Sequence, residues 1–193
     1  AVSDIELPAN CSITVSGEEE KRQESMNSLM FALALSIILV YMVMASQFES
    51  LLHPFTILLT IPVALVGAII LFWLTGTTIN IMGVIGIVML SGIAVNNAII
   101  LIDRINQLKA TGMSLTDSIV EAGQQRIRPI IMTSLTTILA LLPMAFSFGD
   151  GGSLRSPMAI AVIGGLITST ALSLILIPCV YDVFERMKEF FSR

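Results

Sequence analysis

Two adjacent amides, Asn96 and Asn97, stand past the midpoint of the apolar run Gly83 to Asp103, GVIGIVMLSGIAVNNAIILID. A polar group at that depth of a membrane span is costly, so it is either paired within a bundle or part of a pathway. At 1.5 Å rise per residue, Asn96 lies about 12 Å from the polar end of the run at Arg104. Thr136 and Thr137 lie at a matching depth above Pro129 on another apolar run, with Thr133 one turn lower, so these groups are placed to meet. Gly92, Asn96 and Asp103 share one helical face, which predicts a small, polar, close-packing stripe pointing inward. Spacing alone leaves two chemistries open. One is a proton or ion relay; the other is simple hydrogen-bonded glue between helices, the more common use of such residues.

Other chemistries are poorly served. The sequence GDGGS (Gly149 to Ser153) lacks the Lys-Ser/Thr ending of a phosphate loop and the strand-to-helix setting of a dinucleotide site. Eleven Met residues are scattered without Cys or His neighbours, and the single His53 stands beside Pro54, so no metal site is expected. Cys11 and Cys179 fall in segments of different character and read as free thiols rather than a disulfide. No cofactor is expected, nor an enzyme that makes and breaks covalent bonds. Asp103, Arg104, Arg126 and Arg128 gather where a polar bridge meets the apolar runs, which suits snorkelling and surface pairing as well as gating. Gly83, Gly86, Gly92, Gly164 and Gly165 read as sites of close helix packing.

The elements that must position these residues are membrane spans. Hydrophobic residues make up 55% of the chain, charged ones 12%, and the mean hydropathy is +0.90. A soluble domain carries about 25% charged residues, so a lipid bilayer is the expected solvent. With a net charge of -4 and no dense basic cluster, nucleic acid is not an expected partner. A bilayer core of about 30 Å asks for about 20 apolar residues per helix. Five stretches meet that demand: Leu29 to Ser46, Pro54 to Leu74, Ile79 to Ile102, Ile130 to Phe148 and Met158 to Phe184. The fold class predicted is therefore an all-α membrane protein of five transmembrane helices.

Ahead of them, CSITV (Cys11 to Val15) has strand composition, and a solvated helix is expected to start near Glu18. Pro54 and Pro129 read as helix starts, while Pro62, Pro143 and Pro178 predict kinks or early ends. The bridge from Asp103 to Arg128 predicts a turn at Gly112, a cap at Ser114 and a short helix along the membrane face. The chain opens in a polar stretch without the pattern of a signal peptide, and reads as beginning in the middle of something.

Basic residues orient the helices. Lys21, Arg22 and Arg155 fall on one side, whereas Arg104, Lys109, Arg126, Arg128, Arg186, Lys188 and Arg193 fall on the other. The richer side is expected in the cytoplasm, with the N-terminus in the periplasm or exterior.

Several segments, in order and at matching spacing, carry a family likeness. SQFESLLHPFTILLTIPVALVGA (Ser46 to Ala68), GIAVNNAIILID (Gly92 to Asp103), GMSLTDSIVEAGQQRIRPIIMTSLTTILALLPMA (Gly112 to Ala145) and MAIAVIGGLITSTALSLILIPCVYDVFER (Met158 to Arg186) closely resemble the C-terminal membrane half of resistance-nodulation-division efflux pumps, in the multidrug branch. The resemblance covers nearly the whole chain. It implies a proton-driven inner-membrane exporter of hydrophobic or amphiphilic compounds, a homotrimer working with a periplasmic adaptor and an outer-membrane channel. Each protomer would have two six-helix repeats with porter insertions. Residues 1–25 would end a porter domain, 26–185 would form five helices with a cytoplasmic bridge at 104–128, and 186–193 would be a cytoplasmic tail. The remaining half of the same pump would supply the paired Asp that take up protons.

Carried over by position, Asn96 stands where many members have a Lys that pairs with those Asp. Asn97 matches the Asn that follows, Arg126 a relay-associated Arg and Thr133 a Thr lining the relay, with Asp103 and Thr137 as possible support. Asn96 departs from the pattern, because an amide offers neutral donors and acceptors where Lys offers a charge. Relay by hydrogen-bond switching is one outcome, a less usual subclass another. A function of a different class is a noncatalytic membrane module that assists assembly of another complex.

Overall fold

The computed structural model describes residues 17–48, 52–146 and 151–191. Among them the chain is helical: α1 (Glu18–Phe48), α2 (Leu52–Leu58), α3 (Thr60–Thr75), α4 (Ile81–Ala110), α5 (Leu115–Ala145) and α6 (Gly152–Phe191). Five units are long and apolar enough to cross a bilayer, with α2 and α3 together forming the second. This is the expected all-α membrane protein of five transmembrane helices. The strand expected at Cys11 to Val15, like most of the stretch 1–25, lies outside the described residues.

Local chemistry sets the boundaries. Helix α1 begins at Glu18, as the acidic run implies. Helix α3 ends where Gly76 takes a left-handed conformation (φ 64°) that side-chain-bearing residues resist. Asn80 then caps α4, its Oδ1 accepting from the Gly83 N–H at 2.9 Å. The α4–α5 turn has Gly112 at φ 89°, and Ser114 caps α5 by accepting from the Asp117 N–H at 3.2 Å. The interruption at Leu59 follows from Pro62, which has no N–H to offer the Leu58 carbonyl. Thr60 Oγ1 donates to the Ile57 carbonyl at 2.7 Å at this break.

Three expectations about element boundaries are corrected. There is no separate short helix in the 104–128 bridge: α4 runs on to Ala110, and α5 runs from Leu115 through Pro129 without a break. Leu115, Ile119 and Ala122 pack on Ile105 and Leu108 of α4, so both helices continue past the apolar runs as a hairpin. Pro129 lies inside α5 rather than at its start. Likewise α6 begins at Gly152, which puts Arg155 and Pro157 on helix rather than in a loop.

Helix α6 is the centre of the bundle. Residues Ala159 to Leu166 are buried without interruption, and the helix packs on α3, α4 and α5. Its approach to α4 is parallel and close: a Cβ on Gly86 would stand 2.7 Å from the Met158 carbonyl oxygen. Its approach to α3 is antiparallel and equally close, since a Cβ on Gly164 would stand 2.7 Å from the Gly67 carbonyl oxygen. Helix α1 lies at the periphery against α2 and α4, with Phe31, Met42 and Val43 among its exposed side chains.

Candidate functional site

Helix α4 separates the two amides. Leu90, Ala94, Asn97 and Leu101 follow the helical repeat and are all buried, so Asn97, 6% exposed, belongs to the face turned into the bundle. Asn96 is exposed. It shares the stripe of Met89, Gly92 and Asp103, as its spacing predicts, but that stripe is on the open side of these five helices rather than pointing inward. A Cβ on Gly92 would meet nothing within 4 Å, so this glycine does not mediate close packing here. Close packing belongs instead to Gly86, Gly164 and Gly165, and to Gly67, which sits against Thr168.

Helix α5 makes a similar division. Ser118, Ala122, Ile130 and Ser134 are buried. Arg126, Thr133 and Thr137 recur at steps of seven and four along a neighbouring stripe. Thr133 is exposed and its Oγ1 donates to the Ile130 carbonyl at 3.0 Å; Thr137 Oγ1 donates to the Thr133 carbonyl at 2.9 Å. Thr136 also turns to its own helix, donating to Met132 O at 2.8 Å. The threonines thus satisfy their protons locally and keep lone pairs for another partner. Among the described residues no hydrogen bond joins Asn96 to Thr133.

The polar ends of α4 and α5 are joined by a chain of amides. Arg104 Nε donates to Gln125 Oε1 at 2.7 Å, and its Nη1 to Gln107 Oε1 at 3.0 Å. Gln107 Nε2 donates to Asp103 Oδ2 at 2.8 Å, and Gln125 Nε2 to Glu121 Oε1 at 2.6 Å. This chain fixes the register of the antiparallel hairpin. Asp103 and Arg126 lie one residue to either side of the Arg104–Gln125 pair, and Asn96 and Thr133 each lie eight residues from it along α4 and α5. Arg126 differs from Arg104 in one respect: its Nε is buried and has no hydrogen-bond partner. Such a donor costs about 1–3 kcal/mol until an acceptor is supplied.

Two further pairs were not anticipated from the sequence. Tyr181 Oη donates to Asn106 Oδ1 at 2.6 Å, with Lys109 Nζ 5.7 Å from the Tyr181 ring centre, and ties α6 to α4. Ser134 and Thr170 hydroxyls are 2.8 Å apart and tie α5 to α6. The signal was present: Ser134 stands at seven-residue spacing from Ile127 and Leu141, among positions that read as simply apolar. Its partner 36 residues away was not readable.

The order of buried glycines and polar stripes on five spans can be compared with known proteins. The family model described as the AcrB/AcrD/AcrF family matches residues 1–185. The chain belongs to this family. It is accordingly part of a resistance-nodulation-division transporter and a multi-pass membrane protein. The swarming motility protein SwrC of Bacillus subtilis (strain 168) is 39% identical over 189 residues, covering 97% of this chain and 18% of that protein. The multidrug resistance protein MdtC of Photorhabdus laumondii subsp. laumondii is 36% identical over 192 residues, 99% of this chain and 18% of that protein. Crystal structures of a heavy metal efflux pump superpose with TM-scores of 0.79 and 0.77 at 34% and 32% identity. Each covers 88% of this chain and 17% of the pump. The family chain described here thus spans about a fifth of the length of the relatives it matches.

Proposed function

We propose that this chain forms part of the membrane domain of a proton-motive-force-driven efflux pump, and that α4 and α5 present its coupling residues to the half of the pump lying outside this chain. The observation that carries the reading is the pair of open polar stripes. Asn96 on α4 and Thr133 on α5 are exposed, with half-buried Asp103 on the stripe of the first and half-buried Arg126 and Thr137 on the stripe of the second. Arg126 is half-buried, and a carboxylate of a facing helix has the charge to pair with the part of its guanidinium left open. Asn97, on the buried face, stands apart from the open stripe of α4. With an amide at position 96, coupling rests on hydrogen bonds that reorganise when a facing carboxylate gains a proton.

The reading carries its usual partners: a bilayer of the inner membrane, a second repeat of the same pump, a homotrimer, a periplasmic adaptor and an outer-membrane channel. Residues 1–25 would close a periplasmic porter domain and 186–193 would be a cytoplasmic tail. Hydrophobic or amphiphilic compounds are the proposed cargo, supported by the name of the relative MdtC; a metal cargo is the alternative raised by the heavy metal efflux pump.

The test is made in the protein that carries this chain. Asn96→Leu removes the amide without adding charge, and is expected to lower export of a cationic dye several-fold while protein level changes little. Unchanged export by this variant would remove Asn96 from the coupling path. Parallel growth assays with dyes and with metal salts assign the cargo: a deletion strain sensitised to metals alone would replace the amphiphile reading.

A further inference from the structure

The two open sides of α5 differ in chemistry. Thr133 and Thr137 mark one. On the other, Ile131, Leu135 and Ile138 form a groove with Ile167, Ala171 and Leu174 of α6, of about 280 Å3. The floor of this groove holds the hydroxyls of Ser134 and Thr170, which bond each other at 2.8 Å. A chain lying in the groove would therefore meet aliphatic walls above two hydroxyls turned to each other.

The groove has a charged foot. Arg128 precedes Ile131 by three residues and Leu135 by seven, so it lies on the same face of α5, one turn beyond the groove's end, and it is exposed. From Leu174 to Leu166 the groove spans about 12 Å of helix rise. That is most of the ~15 Å depth of one leaflet. The spacing is that of a phospholipid, with acyl chain along α5 and α6 and phosphate at the guanidinium.

We infer that the α5–α6 groove is a binding site for one anionic phospholipid, held by Arg128 at the phosphate and by the aliphatic groove at one acyl chain. Arg suits the role because its planar fork can meet two phosphate oxygens. Arg126, two residues away, falls on the opposite side of α5 and takes no part. The inference uses the orientation proposed above only to assign the lipid to the cytoplasmic leaflet. The groove and its foot are independent of that assignment.

The experiment is native mass spectrometry of the intact protein carrying this chain, released from micelles, with phosphatidylglycerol and phosphatidylethanolamine titrated separately. Arg128→Gln is expected to weaken phosphatidylglycerol binding about fivefold and phosphatidylethanolamine binding less, because the amine of the latter offsets the charge of its phosphate. Ala171→Phe, which fills the exposed groove, is expected to reduce binding of both. Arg155→Gln, at the far end of the bundle, is the control and should change neither. Equal phosphatidylglycerol binding by wild type, Arg128→Gln and Ala171→Phe would overturn the site. So would a bound small protein that Ala171→Phe expels, since a partner helix would then be the occupant. Impermeant labelling of the loops tests the orientation separately, so failure of one reading leaves the other intact.

Discussion

At the scale of single residues, a glycine's meaning depends on what stands opposite it. Gly86 and Gly92 are six residues apart on α4 and look alike in the sequence. A Cβ at Gly86 would press on the Met158 backbone, which cannot move without shifting α6, whereas a Cβ at Gly92 would enter open space. Gly86→Ala should therefore destabilise the 193-residue chain by about 1–3 kcal/mol, the usual cost of overpacking. Gly92→Ala should cost nothing measurable there, since alanine is the better helix former. Thermal unfolding of both variants in detergent checks the contrast; equal midpoints would show that α4 and α6 do not approach as closely as described. The same logic explains what the sequence could tell about the candidate site. Spacing alone put Asn96 and Asp103 on one stripe of α4. Whether that stripe faced in or out depended on neighbours not encoded locally, and it faces out.

At the scale of elements, the hydropathy pattern identified five spans because each backbone segment in lipid must satisfy its own hydrogen bonds. It was less informative where helices leave the apolar zone. Leu115 to Arg128 is polar and reads as a separate short helix, yet α5 continues through it, since Leu115, Ile119 and Ala122 find an apolar wall on the overhanging end of α4. Pro129 suggested a helix start for a sound local reason, its missing N–H, and tertiary packing overrode it. The resulting hairpin gives a direct test of orientation. In a background with Cys11 and Cys179 replaced by Ser, cysteine is placed at Thr78 in the α3–α4 turn or at Thr111 in the α4–α5 turn. An impermeant thiol reagent added to intact cells is expected to mark Thr78→Cys only. Labelling of Thr111→Cys alone would invert the topology and place the Arg104–Gln125 network outside the cytoplasm.

At the scale of the whole molecule, what is missing from the spans matters as much as what is in them. No Asp or Glu occurs in Leu29 to Ser46, Pro54 to Leu74, Gly83 to Ile102, Ile130 to Phe148 or Met158 to Tyr181. Asp103 lies seven residues beyond Asn96, about 10 Å nearer the polar end. Asn96 and Asn97 do not titrate, so the middle of this bundle offers no carboxylate on which a proton could be carried. Alternating access in transporters built from repeats also requires one repeat to move against another. Here α6 is locked to α3 and α4 by glycine contacts, which makes these three helices a single packed body. The expected outcome is that the 193-residue chain, reconstituted in liposomes under a pH gradient, neither dissipates the gradient nor moves a fluorescent dye above empty liposomes. On the proposed function, adding a half that carries facing carboxylates should produce both together, because the proton carrier and the second moving body would arrive with it. Dye movement coupled to proton entry by the 193 residues alone would place the whole coupling device within these five spans, and Asn96 would then have to act without a facing acid.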